Sequence, residues 1–142
     1  MGHFNIRVYA IILNEKDEVL LSDERRNGFS FTKFPGGGLE WGEGTADCLK
    51  RELQEELGLE AEPGELYYFN EFFQESKFHK DHQLISFYYF VENIDLDAIP
   101  ASEHEYPLQE EGEKFRWVPR KELNVEELTF PVDKIVGEKL KG

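Results

Sequence analysis

The chain has 142 residues, 39% hydrophobic and 14% aromatic, which suits one domain with a buried core and excludes a disordered chain. Sixteen basic residues face 30 acidic ones, for a net charge of −14. This surplus disfavours a general grip on nucleic-acid backbone, and a polyphosphate ligand would need metal ions to shield it from so acidic a host.

No window approaches the roughly 20 apolar residues of a membrane span, so no membrane partner is expected. The N-terminal apolar run reads as a strand rather than a signal peptide. A single cysteine, Cys48, excludes an internal disulfide framework and fits a reducing, cytoplasmic setting.

No repeat, low-complexity tract or linker divides the chain, so a single domain over residues 1–142 is expected. Ile6 to Leu13 is apolar and β-branched, Asn14 to Asp17 forms a turn, and Glu18 to Glu24 continues in strand style, predicting a hairpin. Arg25 to Gly28 reads as a polar loop. Phe34-Pro35-Gly36-Gly37-Gly38 should be irregular, its glycines allowing unusual φ values and close backbone approach. A helix follows, with Thr45 as N-cap, Gly58 just past its end, and Ala46, Leu49, Leu53 and Leu57 as its apolar stripe. Leu66 to Gln74 and Leu84 to Glu92 are aromatic-rich strands, with most of their rings expected in the core. Asp95 to Gly112 is an acidic loop, Lys114 to Pro119 a short strand and Val132 to Leu140 a helix. Strands and helices mixed in this order predict an α/β fold with a mixed sheet.

The chemistry concentrates between Gly37 and Leu59. Glu52, Glu55 and Glu56 stand at relative positions i, i+3 and i+4, which share one helix face. Two bare carboxylates about 4 Å apart repel by roughly 1 kcal/mol in water and roughly 4 kcal/mol near a protein surface. Such a face calls for a cation among its carboxylates, and a hard divalent ion with oxygen ligands fits best. Arg51 sits four residues before Glu55, where it can neutralise and orient that face. For an isolated run of this kind, a solvated acidic helix face would be the default reading.

The full spacing is Gly37, Glu43, then Arg51-Glu52-Leu53, Glu55-Glu56 and Gly58-Leu59. It resembles the Nudix box, the signature of Nudix hydrolases, with every defining position filled. Phe34-Pro35-Gly36-Gly37 ahead of the box and the late Arg116-Trp117-Val118-Pro119 are similar to the family as well. The resemblance implies a Nudix-type α/β/α sandwich and hydrolysis of a pyrophosphate bond in a nucleoside diphosphate linked to another moiety, X. It implies Mg²⁺, with Mn²⁺ as a substitute, held by Gly37, Glu52, Glu55 and Glu56. Glu52, Glu55 and Arg51 become the catalytic candidates, with Glu43 holding Arg51. Family members often add a metal-binding glutamate from a loop before the late tryptophan strand; of Glu110, Glu111 and Glu113 the first choice is Glu111.

Arg25, Arg26 and Lys33 precede the glycines and are candidates for substrate phosphate oxygens. Many relatives carry an aromatic three residues before the loop proline; here Thr32 stands there, beside Phe31. His79 and His82 lie in a polar stretch before a strand and read as loop decoration ahead of a general base. Within the enzyme class a nucleoside triphosphate, normal or modified, competes with nucleotide sugars, ADP-ribose and dinucleoside polyphosphates. The rival outside it is a non-catalytic nucleotide-binding regulatory module. A homodimer is compatible with the sequence, and a small nucleotide is the expected partner.

Overall fold

The computed structural model describes residues 2–142. The chain forms two compact units: the N-terminal segment up to Ile11 together with Gly36–Asp95, and Ile12–Pro35 together with Leu96–Gly142.

The first unit holds a four-stranded sheet and one helix. Its strands are β1 (His3–Ile11), β4 (Gly36–Gly38), β5 (Glu62–Phe69) and β6 (His82–Glu92), in the order β4-β1-β6-β5. The sheet is mixed: β1 runs parallel to β6 from His3↔His82 to Ile11↔Phe90, and its other neighbours are antiparallel. Helix α1 (Thr45–Leu57) buries Cys48, Leu49, Leu53 and Leu57. Ala46, expected on that stripe, is exposed, and Cys48 takes its place.

The second unit holds an antiparallel sheet of β3 (Phe29–Lys33), β2 (Glu18–Arg26) and β7 (Gly112–Pro119), with helix α2 (Pro131–Lys141). Val19, Leu20 and Leu21 are buried in its core, as are Leu123, Leu128 and Val136.

Several expectations are corrected. The predicted hairpin exists only as a short ladder, in which Leu13 opposes Val19 and the Leu20 N–H donates to the Ile12 carbonyl at 3.0 Å. Beyond it β1 and β2 belong to different sheets. The parallel pairing of β1 with β6 spans most of the chain, and adjacency in sequence carries no signal for it.

Arg25 and Arg26 extend β2 instead of opening a loop. Asn27 and Gly28, with φ of 53° and 79°, form the two-residue turn between Arg26 and its partner Phe29. Two positive φ values are what a type I′ hairpin turn requires, and Asn-Gly is its strongest sequence signature.

Gly36–Gly38 is a strand paired with Arg7–Tyr9 rather than an irregular loop. The close approach holds: a Cβ on Gly36, whose φ is 142°, would stand 2.1 Å from the Val8 carbonyl oxygen. The N-cap of α1 is Gly44, and its N–H donates to the Asp47 carboxylate at 3.1 Å. Thr45 opens the helix, its hydroxyl 2.6 Å from the Tyr89 hydroxyl.

β5 stops at Phe69 because the Asn70 side chain replaces the ladder. Its Nδ2 donates to the Phe72 and Leu84 carbonyls, and its Oδ1 accepts from the Ser86 N–H. The aromatic tracts are less buried than alternation predicted: Tyr88 is 1% exposed, while Phe69, Phe72 and Phe73 are exposed.

Candidate active site

The first unit gathers the acidic helix face around one guanidinium. Arg51 grips Glu43 with two bonds, Nε to Oε2 at 3.0 Å and Nη2 to Oε1 at 2.7 Å, the planar fork that arginine presents to a carboxylate. Its Nη1 donates to Glu52 at 3.1 Å and to Glu55 at 3.2 Å, and Nη2 also donates to the Gly38 carbonyl at 3.0 Å. One cation therefore hydrogen-bonds three carboxylates, lies 3.6 Å from a fourth on Glu40, and ties helix α1 to strand β4.

These contacts set the protonation states. The guanidinium of Arg51, together with the Glu40 N–H that donates to it, holds the Glu43 carboxyl at about 2. Arg51 is itself stabilised in its charged form, first by Glu43 and also by Glu52. Glu52 moves the other way: burial raises its pKa, repulsion from Glu56 adds to this, and Arg51 opposes it. The thiol of Cys48 is pushed up to about 12 by burial and by the negative charge of Glu43, and it donates to the Gly38 carbonyl at 3.5 Å. A thiol so hard to ionise packs the helix and is not a nucleophile.

The glycines matter for what they lack. A Cβ on Gly37 would lie 2.4–2.6 Å from the Glu52 carboxylate atoms, so that carboxylate occupies the space a side chain would fill. The Gly36 N–H donates to Glu56 Oε2 at 3.1 Å. Gly37, Glu52 and Glu56 are thus brought together at the junction of β4 and α1. Glu55 lies at the outer edge, with 58% of its side chain exposed. The donors here are all oxygens, the set that suits a hard divalent cation.

In the second unit the predicted phosphate-binding cations are not one cluster. Glu24 and Arg26 share a face of β2, and Arg25 projects from the other. Arg26 pairs with Glu24 at 2.9 Å, with its guanidinium over the Phe31 ring. Lys33, 5% exposed, pairs with Glu24 at 3.2 Å and donates to the Phe34 carbonyl. Arg25 donates to the Ser30 hydroxyl at 2.7 Å and lies 3.7 Å from Glu111.

Glu111 caps the β2–β3 turn. Its carboxylate accepts from the N–H groups of Asn27 at 2.6 Å and Gly28 at 3.3 Å. Glu113, two residues on, stands opposite Glu24 in the β2–β7 register, with a carboxylate oxygen of each within 4.8 Å of the other. Like charges directly opposite across strands destabilise a sheet, so this pair marks a second place where negative charge is concentrated. The Ser22 hydroxyl donates to Glu113 at 2.6 Å. Sequence reading passed over Glu24 altogether and ranked Glu113 behind Glu111.

Against this geometry, the family model of the NUDIX domain matches residues 3–138. The chain belongs to the Nudix family, and it is a Nudix hydrolase. It is 34% identical over 118 residues to the 8-oxo-dGTP diphosphatase of Haemophilus influenzae, an alignment covering 81% of this chain and 76% of that one. A shorter match, 44% identical over 57 residues, reaches the human 8-oxo-dGDP phosphatase and covers 39% of this chain and 18% of that protein. The solution structure of the E. coli ORF135 protein superposes with a TM-score of 0.70 at 22% identity, covering 96% of this chain and 88% of that one. The fold is accordingly the Nudix fold, of the α/β class with a mixed sheet, as the sequence implied. Among the described residues, no helix is long and apolar enough to cross a membrane.

Proposed function

We propose that the chain is a single Nudix domain, residues 1–142, that hydrolyses a modified purine nucleoside triphosphate to the monophosphate and pyrophosphate. The observation that carries the reaction is the gathering of Glu52 and Glu55 on the Arg51 guanidinium beside Glu56, which accepts from the Gly36 N–H, with Glu52 filling the space above Gly37. That face holds more negative charge than Arg51 balances, and all its donors are oxygens. It therefore fits a hard divalent cation, Mg²⁺ or its substitute Mn²⁺, with the Gly37 carbonyl, Glu52, Glu55 and Glu56 as the holding residues. When bound, such an ion supplies charge neutralisation on phosphate and acidifies water.

The protein's own residues do the rest. Arg51, fixed by Glu43, keeps the glutamates ionised and aimed along α1. Glu52, the carboxyl whose proton affinity is raised by burial and by Glu56, is the candidate to accept the proton of the attacking water, with Glu55 as the exposed alternative. Water attacks one phosphorus of the anhydride; the bridging oxygen leaves with pyrophosphate, and the proton passes to the base.

Glu113 replaces Glu111 as the candidate for the additional glutamate, since the Glu111 carboxylate is taken up by the turn it caps. Lys33 and Arg26 flank Glu24 on the face that Glu113 shares, and they are the cations that would meet phosphate oxygens; Arg25 is assigned to the turn. A cytoplasmic setting fits the single cysteine.

Similarity to the Haemophilus diphosphatase over four-fifths of the chain favours 8-oxo-dGTP as the substrate. The test is a panel of 8-oxo-dGTP, dGTP, ADP-ribose, a nucleotide sugar and a dinucleoside polyphosphate with Mg²⁺, read by product analysis. Pyrophosphate release fastest from 8-oxo-dGTP is expected. Preference for ADP-ribose or the sugar would move the substrate assignment, and inertness toward the whole panel would leave a nucleotide-binding module instead.

A further inference from the structure

The sheet of the first unit has an apolar end that its own helix leaves open. Phe4, Ile6 and Val8 alternate onto one face of β1. The register continues that face through Ile85 and Phe87 of β6 to Phe69 of β5, whose ring stacks on Phe87 with centres 5.9 Å apart. Helix α1 meets the face at Gly37 and Tyr89, the neighbours of Val8 and Ala10, which are fully buried. Toward the start of β1 the cover ends. Phe4 is 74% exposed, Phe69 is exposed, and Ile6, Ile85 and Phe87 are half-buried.

Two segments add aromatic surface at the same end. The Leu39 N–H donates to the Ile6 carbonyl at 2.9 Å, and two residues on Trp41 is fully exposed. Beside β6, Asn70 holds the Phe72 carbonyl, and the Leu84 N–H donates to the Gln74 carbonyl at 2.7 Å. Phe72 and Phe73 of that loop are exposed, Phe73 by 67%. At roughly 200 Å² for each aromatic side chain, the exposed shares of Phe4, Trp41, Phe69, Phe72 and Phe73 come to about 650 Å². The largest apolar patch on a typical monomer is roughly 300–600 Å².

We propose that this face is the interface of a homodimer, its occupant the same face of a second copy. The area is what such a contact needs: a standard interface takes about 800 Å² from each partner, and Ile6, Ile85 and Phe87 supply the remainder. Charge selects the partner. The chain carries −14, and like charges oppose the meeting of two copies. Phe4, Ile6, Gln83, Ile85, Phe87 and Phe69 present no charge, so two copies can meet there ring against ring. Pairing about a twofold axis sets each patch against its own likeness and closes at two chains. A basic partner would be drawn to the carboxylates elsewhere on the chain instead of to this uncharged face. Trp41 lies in the turn where the Glu40 N–H donates to the Glu43 carboxylate at 2.9 Å. Covering Trp41 would therefore brace the turn that presents Glu43 to Arg51.

Sedimentation equilibrium of the full chain tests this, with mass as the readout and no dependence on turnover. The parent should dimerise with a micromolar dissociation constant, the weak end for an interface of this area. Its dimer should tighten as added salt screens the repulsion. Phe4→Glu and Trp41→Glu each place a like charge in the contact at an exposed position, so each should weaken dimerisation at least about tenfold. Phe29→Ser, at an exposed ring of the second unit, should leave it unchanged. A parent chain still monomeric at about 100 μM, a dimer that survives both glutamate substitutions together, or one abolished by Phe29→Ser would overturn the proposal. So would a monomer that instead binds phosphatidylcholine vesicles, since the patch would then serve a lipid surface.

Discussion

In helix α1 a single Arg51 faces Glu43, Glu52 and Glu55, whereas on β2 the buried Asp23 is met by Arg116 at 2.7 Å, His104 at 2.7 Å and the Thr32 hydroxyl at 2.6 Å. Both regions set carboxylate against guanidinium, and their charge balance differs. Asp23 is fully buried and surrounded by donors, and Arg116 is further fixed by Glu127 at 2.9 Å and by the ring of Tyr106. That network is a closed structural unit. On the α1 face several carboxylates share the one Arg51, and burial and the neighbouring Glu56 raise the pKa of Glu52. A completed network stabilises the fold, whereas on α1 the carboxylates outnumber the guanidinium they share.

The sharpest way to break this comparison is Asp23→Ala. Removing the buried acceptor of this network strips Arg116, His104 and the Thr32 hydroxyl of their shared partner and leaves Arg116 with Glu127 alone, which should cost about 3–5 kcal/mol of stability. Urea denaturation measures it, and a loss below about 1 kcal/mol would show that the strand network is not structural.

Glu56→Gln should act in the opposite sense. On the proposed metal-holding role, losing this carboxylate removes several kcal/mol of transition-state stabilisation, so turnover should fall about 10²- to 10³-fold. The melting temperature without metal should stay level or rise, because repulsion toward Glu52 is relieved. Steady-state kinetics and calorimetry on one preparation test both halves; unchanged turnover would remove Glu56 from the site.

Two neighbouring glycines sharpen the distinction between site and scaffold. In Gly36→Ala the new Cβ would meet Val8 backbone at a positive φ, and strain of about 1–3 kcal/mol is expected. In Gly37→Ala the atoms nearest the new Cβ would be those of the Glu52 carboxylate, the far end of a flexible side chain. That carboxylate can swing aside, so stability should hardly change while turnover drops roughly tenfold, the scale of a misplaced catalytic group. Equal thermal losses in the two variants would contradict the view that Gly37 serves the site.

The smallest effect concerns pH. The Arg120 guanidinium holds the exposed Asp17 carboxyl below its ordinary value of 3.8. A depressed carboxylate contributes its stability above the unfolded value and loses it as the pH falls through the folded one. The small advantage of the parent over Asp17→Asn should therefore be constant at neutral pH and fade below about 4. A difference that grows on acidification would reverse the assignment.

The sequence by itself determined the family and the acidic helix, which rest on spacings within one helix and the loop before it, and the resemblance they carry implied the Arg51–Glu43 pairing. Helical periodicity fixes which side chains share a face, and Gly58, with φ of 70°, ends α1 where the pattern stops. The Asn27-Gly28 turn was equally legible, although its signal was passed over in favour of a loop. Only the tertiary structure decided the rest. The parallel register of β1 on β6 brings His3 to His82 across almost eighty positions of sequence. The β2–β7 register sets Glu113 opposite Glu24, and Glu111 is drawn off to cap a turn. Such pairings depend on which strands become neighbours, a property of the folded backbone that local propensity and period do not encode.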